Sequence, residues 1–438
     1  MSAQLAVPEL AKPVKAKPVR THERVLPSGL RVVAVRQPSV PMVEVRLRIP
    51  FFSARPSHPA RSRLLANSML TGTERYDRTG LAVALGELGA DLGVSVDADR
   101  LVLSSTTLAS GLPALLRIYA EVLTAARYPA GEVSGERARL VERITISRSQ
   151  AGSMAAEALA GRLAAGHPYG HTLPSVEQVA ASTPAQLRAL HAGLVRPSDA
   201  LLVLVGDLSP ARAIDSVEAA LAGWTGSAET RSLPVPALRR QPMLIVDRPG
   251  SVQTSLRFGG VALPRTDPRY PALQLANLAF GGYFCSRWVE NVREDKGYSY
   301  SPRSAIDHAA LASTLTVAAD VATSVTAPAV LETLYELGRM ASLPITAAEL
   351  DSVQQYAVGS LALSTATQAG LASTITGLLG AGLDVEWLTS HPTRVLKVSV
   401  EEITEVARQF LAPRNLVSVA VGDAAAITDG LANLLEVE

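Results

Sequence analysis

The sequence predicts an α+β protein made of two tandem homologous domains, each a β-sheet layered with helices. Two observations carry this expectation: the 438-residue chain resembles itself at a fixed offset, and each half alternates period-two apolar runs with helical patterns. LVRPSDALLVLVGD at 194–207 has a counterpart in FLAPRNLVSVAVGD at 410–423, an offset of 216. VRQPSVPMVEVRLRI at 35–49 resembles VDRPGSVQTSLRFGG at 246–260 at an offset of 211, matching Pro38 to Pro249 and Arg46 to Arg257. Between these blocks, Leu65, Ala66 and Asn67 match Leu275, Ala276 and Asn277 at an offset of 210. Three blocks in the same order at nearly constant spacing indicate a tandem duplication.

In chain order, residues 1–24 combine spaced prolines and lysines with no apolar stretch, which predicts a disordered extension and no secretory signal. The first domain, 25–223, opens with LRVVAVRQ and MVEVRLRI, whose alternation predicts two strands joined by a proline turn. A helix enters at about Ser62. LAVALGELGADLGVSVDADRLVLSSTTL reads as a helix ending at Gly89 and then two strands around Asp97 and Asp99. GLPALLRIYAEVLTAARYP and the segment 132–165 read as long helices, and ALLVLVGDL closes the domain as a buried strand. WTGSAETRSLPVPALRRQP at 224–242 is small, polar and proline-rich, as a linker is. The second domain, 243–438, repeats the order, with sheet on one side and helices on the other.

A hydrophobic content of 47% supplies large cores, and a formal net charge of +1 with no long run of like charge argues against a nucleic-acid partner. The lone Cys285 offers neither an internal disulfide nor a thiolate metal cluster, and is expected to be a small buried apolar residue. No stretch reaches the roughly 18 apolar residues of a membrane span, so a cytoplasmic protein is expected. There is no Gly-x-Ser-x-Gly elbow and no phosphate-binding GxxxxGK[ST] loop.

The succession TGT at 71–73, GELGADLG at 86–93, HPYGH at 167–171, RPSDALLVLVGD at 196–207, GGYFCSRW at 281–288 and REDKGYSY at 293–300 strongly resembles the M16 peptidase family, the insulinase or pitrilysin-like metallopeptidases. The likeness covers residues 25–430 and is to the short two-domain form close to processing-peptidase subunits. Active members carry His-x-x-Glu-His on the first helix. Two histidines four apart share a helical face and take zinc, and the glutamate before the second activates the metal-bound water. Counted back from TGT, the motif falls on Arg63 to Asn67, so Arg63, Ala66 and Asn67 stand where its three chemical residues belong. The third ligand of the resemblance corresponds to Glu142. One carboxylate does not hold zinc, so these four residues form a degenerate metal site and no metal is expected on this chain. Arg63 reads either as a surface residue or as a cation near the vacated position that pairs with Glu142. His167 and His171 are separated by Pro168 and Gly170 and read as loop structure; His22, His58, His191, His308 and His391 read as surface or satisfied core residues.

Arg293 and Tyr300 match the pair that, in this family's second domain, contacts the substrate backbone and the carbonyl under attack. The chemistry suits that role, because a guanidinium forks onto oxygen acceptors and a phenol donates to a developing oxyanion. Gly281, Gly282 and Gly297 supply the turns around them. The resemblance therefore implies a duplicated M16-like half forming one side of a peptide chamber. It also implies a non-catalytic subunit of a heterodimeric zinc peptidase, with zinc on a His-x-x-Glu-His partner chain and a peptide as substrate. A core-protein-like scaffold subunit and a peptide-binding module without proteolytic role are the alternatives.

Overall fold

A computed structural model describes residues 18–228, 234–235 and 237–438 of the protein. The expected linker lies partly outside the described residues, as does the expected disordered extension up to residue 17. That extension nevertheless ends sooner than predicted. Thr21–Val25 is a strand, β1, paired antiparallel to β2 (Arg31–Arg36). All five of its residues are exposed, so its apolar pattern carries no signal, and it is held by the ladder and by Arg24 salt bridges to Asp215 and Glu218.

The first half continues through β3 (Met42–Pro50), β4 (Gly93–Val96), β5 (Arg100–Leu108) and β6 (Leu201–Gly206), in the sheet order β1-β2-β6-β3-β5-β4. The second half supplies β7 (Leu244–Asp247), β8 (Gln253–Ala262), β9 (Arg303–His308), β10 (Ser313–Ala322) and β11 (Val417–Gly422), in the order β7-β11-β8-β10-β9. Without β1 the two orders are the same. In each, only one pair is parallel, β2 with β6 and β7 with β11. The fold is thus a duplicated α+β half.

The matched arginines show how closely the repeat is kept. Arg46 Nη1 donates to the carbonyls of Val45 and Ser105, at 3.0 Å each, across β3 and β5. Arg257 Nη1 donates to those of Leu256 and Ala319, at 2.8 and 3.2 Å, across β8 and β10. The glycines of the two Val-Gly-Asp runs also serve one purpose. A Cβ on Gly206 would stand 2.2 Å from the Met42 carbonyl, and one on Gly422 would stand 2.6 Å from Thr254 Oγ1.

The layering differs from the expectation of one helical layer per sheet. Val43, Val45, Leu47 and Ile49 of β3 and Leu202 and Leu204 of β6 face their own half's helices. The opposite face, with Val33, Val35, Leu201, Val203 and Val205, packs against Leu371, Ala372, Ile375 and Leu378 of the Gln368–Gly380 helix, which belongs to the second half. Reciprocally, Val417, Val419 and Val421 of β11 pack against Ala155 and Leu159 of the Ala151–Leu163 helix of the first half. Each sheet is therefore covered on both faces, which is why β6 and β11 are buried at every residue and read as unbroken apolar runs. A polar latch adds to the exchange. Asp99, 7% exposed, accepts from Tyr169 Oη at 2.7 Å and from the Ala310 amide at 2.8 Å, and the Leu311 amide donates to Tyr169 Oη at 3.2 Å. Among the described residues, no helix is long and apolar enough to cross a membrane.

Candidate functional site

The seven-residue interval between Arg293 and Tyr300 is closed by the backbone. Arg293 lies on a wide π-helical stretch, Glu290–Asp295, after which the chain turns through Gly297 at φ +63°. A left-handed turn of that kind favours glycine. The chain then folds back so that the Tyr298 amide donates to the Val292 carbonyl at 2.8 Å, and Ser299 Oγ donates to the Asp320 carbonyl at 2.9 Å. Underneath, Trp288 is buried, stacks on Phe280 with centroids 5.4 Å apart and donates its indole N–H to Thr333 Oγ1 at 3.1 Å. Gly281 admits this packing, since a Cβ there would come within 2.9 Å of the Trp288 ring.

The result is an aromatic clamp on a cation. The Arg293 guanidinium carbon lies 4.5 Å from the Phe284 ring centroid and 5.1 Å from that of Tyr300. Phe284 is 56% exposed and Tyr300 83%, while the Arg293 side chain is 30% exposed and lies 3.3 Å from Glu294 Oε1. Ring faces attract a guanidinium while leaving its N–H edge free to donate, so the clamp orients Arg293 without using up its donors. Phe284 was not found by sequence reasoning. Its signal was an aromatic two positions after the double glycine and two before Ser286. Cys285, expected to be buried, is exposed. The turn that presents Phe284 also presents its neighbour.

Of the four positions that the resemblance assigns to the metal, Arg63, Ala66 and Asn67 lie on the first helix, His58–Ser68, which begins earlier than expected because Pro59 suits a helical first turn. Arg63 is exposed, Ala66 is a buried methyl, and Asn67 has its Nδ2 buried without a partner. Glu142 is exposed on the Ala130–Arg148 helix, and no ion pair joins it to Arg63 among the described residues. A cation, a methyl and an amide are not zinc donors, so the residues present do not fit the metal that the resemblance places there. Among the described residues, no group of three or more His, Cys, Asp or Glu side chains converges to hold a metal ion. Arg63 borders a cavity of about 220 Å³ shared with His58, Asp97 and His171, a meeting that sequence spacing did not reveal. Among the described residues, no hydrogen bond, ion pair or ring contact joins Arg63 or Glu142 to the Arg293 clamp.

The other histidines are largely structural. His167 accepts from the Tyr169 amide at 3.1 Å and caps the short turn Pro168–Gly170. His58 bonds the Phe51 carbonyl at 2.8 Å, and His191 bridges Tyr128 Oη at 2.7 Å and the Leu123 carbonyl at 2.9 Å. His308 and His391 depart from the satisfied-core reading, for each keeps one buried ring nitrogen without a partner.

The peptidase M16 inactive domain family matches residues 182–356, a stretch that begins in the first half and takes in the Arg293 clamp. An uncharacterized zinc protease of Mycobacterium tuberculosis is 25% identical over 400 residues, covering 89% of this chain and 90% of its own length. One from Streptomyces coelicolor is 23% identical over 288 residues, covering 63% of this chain and 62% of its own. A peptidase M16 inactive domain structure from Pseudomonas fluorescens superposes with a TM-score of 0.84 at 24% identity, over 92% of this chain and 98% of that one. A protease structure from Helicobacter pylori does so with a TM-score of 0.84 at 16% identity, over 93% and 100%.

Proposed function

We propose, from the premise that this chain is an M16-family protein with an inactive-type domain, that it serves as the non-catalytic subunit of a heterodimeric zinc peptidase. In this reading it forms one side of a peptide chamber. Arg293 holds a carbonyl or carboxylate oxygen of the peptide, Tyr300 donates to the oxyanion as it forms, and a zinc-bearing partner chain supplies the bond-cleaving half. One observation carries the reading. The Arg293 and Tyr300 pair stands assembled and accessible, clamped with Phe284, while the positions that the resemblance assigns to zinc on the first helix hold Arg63, Ala66 and Asn67. A pure scaffold has no use for a presented cation and phenol, whereas an active site shared between two chains needs only one metal.

The test is reconstitution. Mixed with a partner of similar length that carries His-x-x-Glu-His, the chain should form a 1:1 complex on size exclusion. That complex should cleave short unstructured peptides that neither chain cleaves alone. A zinc-bearing chain that works equally fast by itself would remove this protein from the active site and leave the scaffold role.

A further inference from the structure

Away from the Arg293 clamp, a cavity of about 670 Å³ lies between the outer face of the first sheet and the second half. It occupies the part of that face that the Gln368–Gly380 helix leaves uncovered. Arg48 enters from β3, Arg100 from β5, Arg265 from the loop before the second half's first helix, and His308 from β9. Asp97 and Asp307 are the carboxylates among its described walls. Arg46, also at the wall, is committed to Glu44 at 2.7 Å, and Arg100 to Asp97 at 2.5 Å. His308 is held neutral, because burial and the neighbouring Arg265 push its pKa down to about 4. Among the described residues, Arg48 and Arg265 have no carboxylate within ion-pair distance; Asp99 and Asp97 act on Arg48 from further off, and Asp307 is the wall's other carboxylate.

Both arginines also keep a buried Nε without a hydrogen-bond partner, and His308 keeps its Nε2 so. Arg48 is pressed on the last turn of the Gln368–Gly380 helix: a Cβ on Gly380 would lie 2.8 Å from the guanidinium carbon. The negative end of that helix favours a cation beside it, but only weakly. Arg48 and Arg265 line one cavity from opposite halves, and a guanidinium recognises the two oxygens of a carboxylate or phosphate through its N–H fork. The cavity is also large enough for a small molecule.

We propose that this cavity binds the oxyanion group of a small ligand, carboxylate or phosphate, between Arg48 and Arg265. The inference is independent of the peptidase reading. It is tested on the full chain by isothermal titration at low ionic strength with inorganic phosphate and, separately, with succinate, using chloride at matched ionic strength as the control. One saturable site per chain is expected. Arg48→Gln and Arg265→Gln should each weaken it about tenfold or more, the share of one charge-assisted hydrogen bond. Saturation by phosphate alone assigns a phosphate ligand, and by succinate alone a carboxylate ligand. No saturable site for either probe, or parental affinity in both variants, overturns the proposal. Circular dichroism checks folding, and Arg265→Gln, in a loop rather than a sheet, carries the test if Arg48→Gln does not fold.

Discussion

Arg293 and Tyr300 occupy one clamp but have different chemistry, so their loss should show in different kinetic constants of the reconstituted complex. In the proposed role, Arg293→Ala removes a permanent donor to the bound peptide and should raise KM. Tyr300→Phe keeps the ring on which the guanidinium rests and deletes only the hydroxyl. It should lower kcat by about a hundredfold with little change in KM, as for a donor used chiefly in the transition state. Wild-type constants in both would leave the pair as structural remnants. A second residue-scale prediction concerns His391, whose pKa is pushed down to about 3 by burial and by the nearby Arg394 and Arg265. Its ring is stacked on Trp387 at 3.9 Å and bonded to Gln274 Oε1 at 2.7 Å. A histidine held neutral when folded takes up its proton more readily when unfolded. Its stabilising share is therefore complete above the ordinary 6.5 and is lost as pH falls from there toward about 3. His308, depressed to about 4, adds in the same direction. The unfolding midpoint should thus drop between pH 7 and 4, and His391→Gln should flatten that slope; an unchanged slope would refute the assignment. At this scale the identities of Arg293 and Tyr300 were legible in sequence, whereas Phe284 became their partner only through the turn that aims it.

Among the elements, the exchanged helices bear most on how the halves hold together. Ile375 is fully buried against the outer face of the first sheet, and Leu159, 4% exposed, lies against that of the second. Truncating either removes a core side chain at a junction that cannot fully collapse, at a cost of about 2–5 kcal/mol. Ile375→Ala and Leu159→Ala should each lower the denaturant midpoint, while alanine at the exposed Leu363 should not. The strands were legible because alternation in β3 and the unbroken apolar runs of β6 and β11 follow directly from pleat and burial. β1 was not legible, since an exposed edge strand held by backbone bonds and salt bridges has no apolar pattern to read.

For the whole molecule, each half covers the other's sheet and the Asp99–Tyr169 latch joins the β4–β5 turn to the β9–β10 turn, so neither half has a complete core alone. Heating should therefore give one cooperative transition, with calorimetric and van't Hoff enthalpies in agreement, and Ile375→Ala should move that transition as a unit. Two separated transitions would show that the exchanged helices contribute little.

What the sequence determined by itself was the duplication, the order of strands and helices along each half, and which residue types stand at Arg63, Ala66 and Asn67 and at Arg293 and Tyr300. Each of these is a matter of residue type and spacing along one segment. Only the tertiary structure decided which sheet each apolar helix covers, that Phe284 completes the cation clamp, and that Arg48 and Arg265 line one cavity from opposite halves. The physical reason is that apolar burial is non-directional: an amphipathic pattern declares that a face will be covered but does not name what covers it. Charges placed far apart in the chain acquire a shared environment only when that covering has been chosen.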